Sequence, residues 1–293
     1  MMKYFALTLL IGLSAMVYGQ TSVDCKDLLL DYSNFVETDS TIWQLDLKDA
    51  SGTAILMYYG AFHSKDMSHP QFEEIESKWN ADKFDIALFE GPNRGILPTK
   101  EETIAKLGES GYVRFLANEK NIQVATLEPS PMSEIEYLTT LFPIDQIKLF
   151  FLLREAQRVR ETLGMDKDQI IDHMEKLLVK ANAISQLEDT ITTLADLEEA
   201  YTHYWGNDRE WWQAPKEWFT PSGNSSETGG IFTNEINKHS SSFRNLHMVE
   251  LITGFLKEEK KIFAVVGRNH IPMQAAALVC EWEKLIGIFH RGN

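Results

Sequence analysis

Cysteine is nearly absent from this chain, with two residues, Cys25 and Cys280, among 293. So few exclude a disulfide-built scaffold, and no Cys-x-x-Cys pair suggests redox chemistry. Positive charge is also scarce: 28 Lys and Arg stand against 43 Asp and Glu, a formal net charge of −15. An acidic chain is a poor partner for nucleic acid or an anionic membrane, because phosphates are held by clustered Lys and Arg. Beyond the N-terminus, no stretch approaches the roughly 18 uninterrupted apolar residues of a membrane-spanning helix. His-Glu-x-x-His, Gly-x-Ser-x-Gly and a phosphate loop are missing, which removes the usual zinc-protease, serine-hydrolase and nucleotide signatures.

The chain starts with Met1-Met2-Lys3, an apolar core from Tyr4 to Met16, and Val17-Tyr18-Gly19. This is the pattern of a cleaved secretory signal over residues 1–19, placing the mature start near Gln20 and the protein in the periplasm or outside the cell. Losing Lys3 takes the charge from −15 to −16. Val23 and Asp24 precede Cys25 without the small residue that a lipid-anchoring site needs. Cys25 and Cys280 either join the two ends as one disulfide or remain as buried thiols.

Apolar runs and helical periodicity alternate from Ser51 to Pro129. Strands are expected at 54–59, 84–89 and 122–127, with helices at 71–79 and 100–119. The order returns near the C-terminus, with helix 243–256, strand 261–266 and helix 274–282. Strand, helix, strand at this spacing implies parallel crossover units, hence an α/β fold around a mostly parallel or mixed sheet. The middle, about residues 144–241, is helical in pattern and reads as an insertion between two halves of a single domain. Trp205, Trp211, Trp212 and Trp218 follow within it, read mainly as core and otherwise as a substrate wall. The turn-rich loop from Pro221 to Gly230 reads as mobile, a candidate lid.

One small pattern occurs twice: an apolar strand, Gly-x-x-His, then an amphipathic helix. It runs Gly60-Ala61-Phe62-His63 the first time and Gly267-Arg268-Asn269-His270 the second. A glycine that lets the backbone turn after a buried strand would present each imidazole at the sheet's C-terminal edge, where open α/β sheets keep their ligands. The blander reading is that the histidines cap helices. Two more strands end in acids, Glu90 and Glu128. If the four strands are parallel neighbours, their polar ends converge. Two imidazoles and one or two carboxylates form a ligand set for a divalent ion of the Zn, Mn or Co type, whose bound water attacks a carbonyl. Arg244, ahead of the last strand, could offer its fork to a substrate carboxylate or an oxyanion, or form a surface ion pair.

Gly60-Ala61-Phe62-His63, Glu90-Gly91, Arg244-Asn245 with Met248, and Gly267-Arg268-Asn269-His270 resemble the marks of the Tiki/TraB superfamily, which includes erythromycin esterases and ChaN haem-binding lipoproteins. The likeness covers roughly residues 54–92 and 242–278. It implies an α/β fold with a helical insertion, with His63, Glu90 and His270 central and Arg244 in the same cleft. By this resemblance the activity would be hydrolysis of a peptide or small ester, with metal in the Tiki proteins and without a required metal in the esterases. Ala61 stands where the commonest TraB motif has Thr, and Ser64-Lys65-Asp66 matches the esterase pattern poorly. The ChaN likeness implies an alternative, haem or metal binding without turnover, for which Tyr58 and Tyr59 would be spare ligands. A third reading is an inactive interaction module. Nothing in the sequence bears on oligomeric state.

Overall fold

The computed structural model describes residues 24–289. The expected signal segment lies outside the described residues. The strands are β1 (Gln44–Lys48), β2 (Ile55–Ala61), β3 (Ile86–Phe89), β4 (Gln123–Thr126) and β5 (Lys261–Gly267). The helices are α1 (Gln71–Ala81), α2 (Lys100–Glu119), α3 (Pro131–Thr139), α4 (Ile144–Leu163), α5 (Lys167–Ala181), α6 (Leu194–Trp205), the single turn α7 (Ser225–Thr228), α8 (Thr233–Lys257) and α9 (His270–Phe289). Among the described residues no helix is long and apolar enough to cross a membrane.

The strands form one sheet in the order β1-β2-β5-β3-β4. β2, β5, β3 and β4 are parallel, and β1 closes one edge antiparallel. The α/β expectation with a mixed, mostly parallel sheet holds. β1 is the one strand not expected; its Gln-Leu-Asp-Leu-Lys alternation spans only five residues. The last strand inserts between the first two crossover strands, pairing Ile55 and Ile86 with Lys261 and Ile262 respectively. Sequence-distant ends are thereby brought side by side.

Side chains alternate across the sheet with period two, so each strand feeds two cores. Leu56, Tyr58, Leu88, Ala264 and Val266 face α8 and α9, meeting Met248, Ile252, Leu278 and Trp282. Tyr59, Ala61, Phe89, Phe263 and Val265 face α1 and α2, meeting Phe72, Ile75, Trp79, Tyr112 and Val113. A third cluster fills the helical region between β4 and β5. It gathers Phe150, Leu153, Met174, Leu197, Tyr201, Trp211 and Trp218, with Trp205 and Trp212 packed against it, so the tryptophans are core. α8 spans both bodies: Ile236 lies in the helical cluster and Ile252 in the sheet core.

The loop at 221–230 is organised. Asn234 Nδ2 donates to the Glu217 and Thr220 carbonyls, while its Oδ1 accepts from Thr228. A Cβ at Gly223 or Gly230 would stand 2.5 or 2.6 Å from that Asn234 side chain. One buried amide thus organises the turn-rich segment, a role that no local pattern of the sequence displays. Cys25 and Cys280 are disulfide-bonded, with their Cα atoms 5.6 Å apart, tying the N-terminal segment to α9.

Candidate active site

The four parallel strands end along one edge, and the polar residues behind them meet there. Both Gly-x-x-His glycines lie at strand ends, but neither takes a left-handed conformation. They are needed for space. A Cβ on Gly60 would come within 2.8 Å of the Arg268 Cα and the Trp43 carbonyl. One on Gly267 would stand 2.9 Å from His63 Nε2 and 3.1 Å from Glu90 Oε2. The bare Gly267 Cα is the floor on which His63 and Glu90 meet.

The two histidines occupy unlike environments. His63 follows β2 in a loop, its side chain 69% exposed, and its Nδ1 lies 2.7 Å from Glu109 Oε1. An acceptor there makes Nδ1 the donor and leaves Nε2 free to act on a neighbour. Glu109, through that hydrogen bond above all, raises His63 above the ordinary imidazole range against the opposing effect of burial, with Glu90 adding to the rise. His270 opens α9 and is buried. Its Nδ1 lies 2.6 Å from Asn245 Oδ1, which also accepts from Gln274 Nε2 at 2.8 Å, and Gln274 Oε1 in turn accepts from Tyr58. That chain fixes Nδ1 of His270 as the donor and turns Nε2 to Glu90 Oε1, 3.4 Å away.

Glu90 is the hub. Oε2 accepts from the Gly267 N–H at 2.6 Å and Oε1 from Arg244 Nη2 at 2.9 Å. Burial works to raise its pKa, but His270, Arg244 and the Gly267 N–H outweigh it and hold the carboxyl well below the usual range. Arg244 grips Glu128 as a fork, Nε to Oε2 at 2.8 Å and Nη2 to Oε1 at 2.5 Å, and Glu128 Oε1 also accepts from the Gly91 N–H. Burial lowers the affinity of Arg244 for its proton, yet the two carboxylates raise it further.

His63, Glu90, Arg244 and His270 line one cleft of about 610 Å³, with Tyr32, Phe62, Arg154 and Arg268 among its walls. Glu128 sits behind the cleft as the partner of Arg244. The surface ion pair considered for Arg244 is thus a partly buried one, and most of its fork is spent on acids. Arg268 stacks on Trp43 with its guanidinium carbon 3.8 Å from the ring centre, lies 4.8 Å from that of Phe62, and pairs with Glu37. Tyr58 and Tyr59 are buried and donate to Gln274 and Glu74, so neither is a spare ligand at the cleft.

The donor set does not suit a divalent ion as arranged. Among the described residues no three His, Cys, Asp or Glu side chains are grouped to hold a metal. Glu90 and Glu128 turn their oxygens to Arg244 and to backbone N–H groups, and His270 Nε2 faces Glu90, which leaves His63 Nε2 as the unspent nitrogen.

Sequence reasoning did not single out Glu109, Gln274, Tyr32 or Arg154, and gave Asn245 no role of its own. Glu109 had a signal: Gly108 and Gly111 interrupt a helical pattern, and Gly108 breaks α2 with φ +63° and ψ −152°. A Cβ there would press to 2.9 Å on the Ser64 carbonyl. The kink admits the His63 loop and seats Glu109 against His63. No family model, curated protein or solved structure matches this chain.

Proposed function

We propose that the cleft belongs to a hydrolase of esters or amides in which His63 is the general base. The observation that carries this reading is the His63–Glu109 pair at the mouth of the cleft. An acid holds one ring nitrogen while the other, beside Gly267 and Glu90, remains open to water. A carboxyl held as low as that of Glu90 is a weak base and at neutral pH has no proton to give, so acid–base work falls to imidazole. Glu90 and Arg244 then act as a fixed electrostatic frame. In the proposed step His63 Nε2 takes a proton from water as the water oxygen bonds to the acyl carbon; the acyl–oxygen or acyl–nitrogen bond breaks, and the proton passes to the leaving group. The Cys25–Cys280 disulfide supports export to an oxidising compartment.

The test is a screen of aryl esters and peptides with the wild type and His63→Asn. Loss of about 10²- to 10⁴-fold in kcat/KM with the native fold retained is expected. Equal turnover by both would end the reading. Exhaustive chelation should leave activity in place, whereas loss restored by zinc or manganese would return His63, His270 and Glu90 to the role of metal ligands.

A further inference from the structure

The third arginine of the cleft is unlike the other two. Arg244 is bound to Glu90 and Glu128, and Arg268 is stacked and paired with Glu37. Arg154, in the middle of α4, has neither a hydrogen bond nor an ion pair with any described residue; it stands over the Phe150 ring, 5.8 Å from the guanidinium carbon to the ring centre. Yet it is not a surface residue splayed into solvent. It forms part of the wall of the His63 cleft and also of an adjoining pocket of about 540 Å³. That pocket lies wholly on the helical region, between Phe151 and Arg158 of α4 and the stretch from Lys216 to Pro221. Burial first, and the nearby Arg244 second, pull Arg154 below the ordinary guanidinium range, against the weaker opposing pull of Glu134, Glu128 and Glu155. A desolvated fork without a partner is costly, and the geometry that satisfies it best is a planar carboxylate bound by two parallel N–H bonds.

We propose that Arg154 is a substrate anchor, and that the protein acts on esters or amides whose acyl part carries a carboxylate, seated on Arg154 while the reacting carbonyl lies at His63. The proposal rests on the hydrolase reading. A carboxylate fits better than a phosphate dianion, since Arg154 is the one arginine of the cleft in no ion pair with a described residue, and Glu37, Glu90 and Glu155 already bring negative charge to the two spaces. The helical region then selects the substrate and the sheet edge supplies the chemistry.

The experiment compares mono-4-nitrophenyl adipate with its methyl ester, methyl 4-nitrophenyl adipate, which differs by one charge. The wild type should favour the acid by at least about tenfold in kcat/KM, mainly through KM. Arg154→Met should bring that ratio to about one, and Arg154→Lys should keep part of it; Arg154→Gln replaces the Met variant if that does not fold. Equal use of the two esters by the wild type, or a preference that survives in Arg154→Met, would overturn the anchor. If neither ester is cleaved, adipate titrated calorimetrically decides separately: binding by the wild type and not by Arg154→Met upholds the anchor without the hydrolase, and no binding, or equal binding, removes it.

Discussion

On the proposed mechanism, the pH dependence rests with His63 and Glu109. A base must be unprotonated to work, and Glu109 raises the pKa of His63. Activity should therefore rise with pH through a value above the ordinary imidazole one, about 6.5. Glu109→Gln removes the raising partner, so its acid limb should move to lower pH while kcat falls, because the ring is less firmly oriented; an unmoved limb would deny Glu109 its positioning role. For folding the sign is opposite: the pair stabilises fully below the unfolded-state pKa of His63, and that contribution fades as pH rises through the folded one. Arg244 is structural in its weight. Replacing it with Met removes the cation that Glu90 and Glu128 share, a loss of about 3–5 kcal/mol at pH 7. Glu90 has a depressed pKa in the fold, so the wild-type advantage is present above the ordinary carboxylate value, about 4.3, and should shrink as pH falls below it. Urea unfolding at pH 7 and at pH 3 checks both statements.

At the scale of elements, the glycines of the two repeated units can be told apart from ordinary ones. Gly267→Ala puts a methyl group against His63 Nε2 and Glu90 Oε2, so it should cost activity at least about tenfold by displacing the base, a shift of the kind that misplaces reacting groups. Gly60→Ala meets backbone at the Trp43 carbonyl and the Arg268 Cα, and should cost about 1–3 kcal/mol of stability, since backbone gives way less readily than a side-chain tip. Gly254, in the last turns of α8 with nothing within 4 Å of an added Cβ, is the control. Gly254→Ala should stabilise by about 0.5–1 kcal/mol, measured by denaturant midpoint. These positions also show what the sequence revealed. Apolar runs and periodicity located β2 to β5 and most helices, and the Gly-x-x-His echo pointed to the sheet edge where the cleft lies. The echo did not reveal that its glycines are there for clearance rather than for a turn. Nor did it show that His63 is open and acid-paired while His270 is buried and amide-paired. Those differences arise from α2 and α8, elements far away in sequence whose packing no local pattern encodes. Glu109 shows the same limit, being one acidic residue among several on α2 until the Gly108 kink aims it.

For the molecule as a whole, the Cys25–Cys280 bond closes a loop of 255 residues in sequence separation and anchors the segment that carries Tyr32 and Glu37 to the cleft. Paired Cys25→Ser and Cys280→Ser substitutions should lower stability by about 2–4 kcal/mol, read from unfolding under identical buffer conditions. The cross-link also makes the described chain a closed ring for nearly its entire length. A protease that cuts once anywhere between the two cysteines, for example in the exposed stretch around Glu188 and Asp189 between α5 and α6, frees no fragment. Such a nicked molecule should migrate as one band without reductant and as two with it. Its halves, still tethered through α9, are placed to stay assembled around the cleft.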